Sequence, residues 1–146
     1  MDVLVSAHSG LRYVVIIMLL IAIVNAFSKR KTNKYEASDK KINLFAMIAL
    51  HVQLLIGLIL YFTSDKVQFV DGVMGESALR FFAVEHILVM LIAVVLITLG
   101  RKKAERFELP GMKHKLILRY YFIGLALIFI AIPWPFTHPE LGTGWF

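Results

Sequence analysis

Four long apolar stretches constrain this chain more than any other feature. They cover residues 13–27, 44–62, 81–99 and 116–134, and each is close to the roughly 20 residues that cross a hydrocarbon core of about 30 Å. Hydrophobic residues make up 59% of the 146, and mean hydropathy is +0.75. A soluble domain of this length still needs a polar skin, so the excess apolar surface is expected to face lipid. Transmembrane β-strands are shorter and alternate apolar with polar, which excludes a barrel. The expected fold is all-α: a single transmembrane domain forming an up-down four-helix bundle, with spans over about 4–27, 40–62, 80–99 and 114–133. The first stretch also has a small-x-small site at Val24-Asn25-Ala26. Only Arg12 precedes it as a positive charge and the basic cluster follows it, so it reads as a span rather than a cleaved signal.

Charge sets the expected direction of the helices. Lys29, Arg30, Lys31, Lys34, Lys40 and Lys41 flank the first connection, and Arg101, Lys102, Lys103, Arg106, Lys113 and Lys115 flank the third. The middle connection has Lys66 and Arg80 against Asp65, Asp71 and Glu76. The positive-inside rule then puts the first and third connections in the cytoplasm and both termini on the outer side, as in a multi-pass protein of a bacterial inner membrane. The net charge of +6 is explained by this orientation, and no aromatic reading surface accompanies it, so nucleic acid is not an expected partner. Ser38 or Asp39 is the expected cap of the second helix, Gly72 and Gly75 mark a turn-rich loop, and Pro110-Gly111 breaks the third connection. Pro133 and Pro135 bracket Trp134 where the fourth span ends.

Ionisable groups near a span need a partner or a role. Those here are His8, Arg12, His51, Glu85, His86, His114 and Arg119, together with the amide of Gln53; His138 falls in a Pro-rich tail and reads as solvated. Four of the five histidines fall one per helix. At 1.5 Å per residue from the outer surface, His8 is at the boundary, His86 at about 9 Å, His51 at about 20 Å and His114 at about 30 Å. Cysteine is absent, so iron–sulfur clusters and covalently attached haem are excluded and a metal must rely on histidine or carboxylate.

A haem between two histidines needs ligand helices farther apart than packed neighbours, which favours diagonal pairs. That rule pairs His8 with His86 and His51 with His114, while one haem between His51 and His86 stays open as the rival arrangement. Arg12, four residues after His8, and Arg119, beyond His114, are candidate partners for haem propionates. Glu85 is placed to pair with Arg12 or Arg80. Gly57, Ala83, Ala93 and Gly124 either leave space for a macrocycle or serve close helix packing.

The run His8-Ser9-Gly10-Leu11-Arg12-Tyr13 opening the first span, His51 and His86 within the next two, and His114 opening the fourth resemble the layout of small four-helix membrane b-type cytochromes, a group that includes the cytochrome b561 core and one half of haem A synthase. The resemblance implies a membrane electron-transfer protein with one or two haem b groups, His8 and His86 ligating one and His51 and His114 the other. It also implies a redox partner, such as a quinol or an electron-transfer protein, although no residue specifically calls for a quinone. Two other readings stand beside it. One is a non-haem accessory subunit of a larger membrane complex or a homo-oligomer. The other is a small polar-solute or proton transporter using His51, Gln53 and Glu85, which lacks the paired discontinuous helices of secondary transporters. No hydrolase motif is present.

Overall fold

The computed structural model describes residues 2–136 and Leu141; His138 lies outside the described residues. It is all-helical. Helix α1 is Asp2–Lys29, α2 is Ala37–Thr63, α3 is Ser77–Arg106 and α4 is Pro110–Ala131. All four are long and apolar enough to cross a bilayer, so the chain is a multi-pass membrane protein. The helices overrun the apolar stretches at nearly every end, because headgroup-depth residues such as Lys29 and Lys40 continue the helical hydrogen bonding after hydropathy has fallen.

Packing runs α1–α2–α3–α4 and back to α1, which makes α1/α3 and α2/α4 the diagonals. The α3/α4 pair is the most intimate neighbour contact and α2/α3 the loosest. Small residues explain the first of these. Gly100 lies against the Cβ of Tyr120 with no room for a methyl group between them, and a Cβ on Gly124 would meet Ile97 at 2.6 Å. Ala93, Ile97 and Ala104 are fully buried along the same seam. Backbones approach closely because glycine and alanine let them, as van der Waals packing in lipid requires. Gly100→Ala is therefore expected to destabilise the bundle by about 2–3 kcal/mol through overpacking, read as a lower thermal midpoint in detergent.

The outside of the bundle is as apolar as its core. Ile17, Val24, Leu55, Val95 and Ile130 are all more than half exposed, as a lipid solvent requires.

Two boundaries differ from expectation. The cap of α2 is Glu36, and Asp39 is the N3 residue whose Oδ2 accepts the Glu36 backbone N–H at 2.8 Å. Pro110 does not merely interrupt the connection. It is the first residue of α4, where its missing N–H costs nothing and its fixed φ suits the helix. Gly111 beside it lets the chain pass the Arg30 carbonyl, which a Cβ would meet at 3.1 Å. Gly72, at φ +85°, occupies the left-handed region that the turn between α2 and α3 needs.

Candidate functional site

At the end of the bundle carrying the N-terminus, a cavity of about 310 Å³ opens between α1, α2 and α3 and reaches α4 at Ile128. It lies beside the loosest seam, that between α2 and α3. His8 and Arg12 reach it from α1, one helical turn apart. Gln53, Gly57 and Tyr61 reach it from α2 at four-residue spacing, hence from one face. His86 enters from α3, and Lys66 from the connection before it.

His86 owes its position to a local departure from α geometry. Residues Phe81–Glu85 form a π turn, in which the His86 backbone N–H donates to the Phe81 carbonyl five residues back. A wide turn shifts the phase of everything before it and leaves carbonyls poorly paired within the helix. The carbonyl of Ala83, within this turn, accepts the Tyr61 hydroxyl at 2.8 Å. Ala83 therefore serves the α2/α3 contact through its backbone.

The His86 ring is oriented by a single bond. Its Nδ1 lies 2.8 Å from the carbonyl of Ala131, in the last turn of α4, where carbonyls have no helical partner. A carbonyl only accepts, so Nδ1 carries the proton and Nε2 keeps a lone pair. This is the arrangement by which metal-binding imidazoles are held.

Across the α1/α3 diagonal, the His8 ring centre is 6.4 Å from that of His86, with the planes at 71°. His8 Nδ1 is buried and has no hydrogen-bond partner. The His8 ring lies against Gly57, where a Cβ would come within 3.0 Å of Cε1, and its backbone carbonyl accepts Gln53 Nε2 at 2.8 Å. Arg12, only 9% exposed, lies between the cavity and an aromatic wall, with its guanidinium 5.5 Å from the Trp134 ring centre and bonded to the Tyr13 hydroxyl at 3.1 Å. Glu85 pairs with Arg80 at 2.6 Å, one of its two expected partners.

The other histidines are placed apart. His51 Nδ1–H donates to its own helix at Met47 O, 2.8 Å, and Nε2 sits 3.4 Å from Thr98 Oγ1, whose proton goes to Val94. Thr98 is twelve residues along α3 from His86, about 18 Å of helix, so His51 and His86 are not brought to one level. His114 is fully buried at the basic end, donating Nε2–H to the Lys34 carbonyl at 3.1 Å, with Asp39 Oδ2 4.0 Å away. Asp39 is twelve residues from His51 on α2, again about 18 Å, so the structure does not bring His51 and His114 together either. Arg119 is exposed on the outside of α4. Five residues are about 140° of helix, which turns it away from His114.

What surrounds His114 is a buried polar cluster. Asp39 accepts Lys29 Nζ at 2.7 Å and Asn25 Nδ2 at 2.8 Å; Asn43 Nδ2 donates to the Tyr35 hydroxyl, which donates to Glu105 at 3.1 Å; and the Tyr121 hydroxyl donates to the Asn43 carbonyl at 2.7 Å. Burial, with the Glu105 carboxylate beside it, pushes the Tyr35 phenol up to about 12, so it stays a proton donor. These bonds tie the first connection to α2, α3 and α4, a structural role.

Fold and site together define a polytopic helical membrane protein with two imidazoles converging on a cavity near one end. No family model, no curated protein and no solved structure matches the chain.

Proposed function

We propose that this chain is a membrane electron-transfer protein that holds one haem b between His8 and His86. The observation that carries the reading is the pair of rings meeting across the diagonal. The two ring centres lie 6.4 Å apart with the planes at 71°, so His8 and His86 are the residues that would hold one iron between them. The donor set is suited to the group: His86 presents Nε2 because Ala131 holds its Nδ1, and His8 has a buried nitrogen without a partner. The cations lining the same cavity, Arg12 and Lys66, suit the haem carboxylates. Bound there, a haem supplies a one-electron couple. The chain's residues orient its ligands, neutralise its carboxylates and keep the site among apolar walls such as Leu54, Ile87 and Met90.

With basic connections on the cytoplasmic side, this centre lies toward the outer face, within reach of a redox partner there. His51 and His114, about 18 Å apart along the bundle and separately engaged, do not support a second haem in this reading. Extraction of haem from purified protein, made with ample haem supply, is the direct test: the expected yield is one per chain. Two per chain would restore the second pair, and none would end the proposal.

Gly57 gives a sharper check. Gly57→Leu fills the space against the His8 ring, and haem per chain is expected to fall at least fivefold; Gly57→Ala, whose Cβ needs only a small shift of His8, is expected to keep most of it. Unchanged occupancy in Gly57→Leu would argue that His8 is not a ligand.

The accessory-subunit reading draws on α2, whose apolar window is only 11% buried. Co-purification of a larger, haem-free complex would favour it.

A further inference from the structure

Arg119 sits about 13 Å along α4 from Pro110, turned to the outside of the bundle. It has no hydrogen bond or ion pair with any described residue. A guanidinium facing lipid at that depth is costly unless something meets its charge. The acids at this end do not: Asp39 and Glu36 pair with Lys29, Glu105 pairs with Lys40, and Glu108, before the start of α4, makes no ion pair with Arg119. Lys115, four residues earlier on the same face, is also exposed and makes no hydrogen bond or ion pair with any described residue. The two cations share one outward face of α4 with Leu118 and Phe122, at three- and four-residue spacing. Phe122, 61% exposed, continues the apolar part of this face toward the bilayer centre.

We propose that this helix face binds an anionic phospholipid, its phosphate held between Lys115 and Arg119 and an acyl chain lying along Leu118 and Phe122. The order of groups along the helix matches that of a lipid. Lys115 lies nearest the headgroups and Phe122 deepest, with Leu118 and Arg119 between them, and Arg119 is long enough to reach back toward Lys115. The arginine fork suits a phosphate through two parallel hydrogen bonds, which a lysine alone does not offer. The apolar surface of Leu118 and Phe122 is what separates a lipid from a free phosphate, which has no use for it. The site is independent of the histidine pair at the opposite end.

The test is native mass spectrometry of the purified full chain in detergent, titrated separately with phosphatidylglycerol, phosphatidylcholine and inorganic phosphate. One phosphatidylglycerol retained per chain is expected, with neither of the other two retained. The double variant Lys115→Gln/Arg119→Gln should lose about tenfold in phosphatidylglycerol retention. Lys31→Gln/Lys41→Gln removes the same charge from exposed positions at the same end and should stay within twofold of the parent. Equal retention of both lipids, retention of inorganic phosphate, undiminished binding in the first variant or an equal loss in the second would each overturn the proposal. Matching thermal midpoints of the variants exclude misfolding as the cause.

Discussion

Replacing His86 with alanine is expected to remove the haem absorbance of the purified protein altogether, and His8→Ala to do the same or leave a weakly held, five-coordinate centre. The asymmetry has a structural origin. The His86 ring is fixed by Ala131 and by the π turn beneath it, whereas the His8 ring is positioned mainly by contact with Gly57. His51→Ala and His114→Ala are the necessary comparison. His51 bonds along its own helix and His114 closes the opposite end, so both variants should retain haem at the parental ratio. Haem quantified per chain across these four variants separates the His8/His86 arrangement from the His51/His86 and two-haem alternatives. Loss of haem in His51→Ala with retention in His8→Ala would reverse the assignment.

The second large effect is expected at the other end of the molecule. Asp39 is fully buried, and its carboxylate is held by Lys29, by Asn25 and by the backbone N–H of Glu36. Asp39→Ala leaves the ammonium of Lys29 and the amide of Asn25 without their acceptor and removes the bond that closes the first turn of α2. A cost of about 3 kcal/mol is expected, at the lower end of the range for breaking a buried ion pair, because the Lys29 side chain is 32% exposed and can turn to water. Asp39→Asn keeps an oxygen acceptor for the backbone and should cost roughly 1 kcal/mol. Reversible unfolding in mixed detergent measures both. A loss below about 0.5 kcal/mol in Asp39→Ala would mean that the cluster is incidental to stability.

Much of this architecture was legible in the sequence because lipid imposes it. Four apolar runs of spanning length admit one fold class, and short connections force neighbours to be antiparallel, so the α1/α3 diagonal followed, while the sequence left His8 with His86 and His51 with His86 both open. Depth was less legible. His51 and His86 looked about 11 Å apart when measured from the ends of hydropathy, but α3 begins at Ser77 and His51 faces Thr98, about 18 Å beyond His86. The π turn left no sequence signal that distinguishes FFAVE from an ordinary α turn. The partners of His114 could not be read because the groups that hold it, the Lys34 carbonyl and Asp39, come from the first connection and the start of α2. The Arg119 assignment is a different matter. The 140° between positions 114 and 119 was available from the helical repeat alone, and it already turned the arginine away from a haem on the His114 face.

Electron paramagnetic resonance of the oxidised, purified protein tests the central claim most directly. Ligation by His8 and His86 predicts a low-spin ferric signal in the parent that persists in His51→Ala and His114→Ala, and that is absent or replaced by a high-spin signal in His8→Ala and His86→Ala. A high-spin signal in the parent, a low-spin signal surviving both His8→Ala and His86→Ala, or a protein without iron would contradict it.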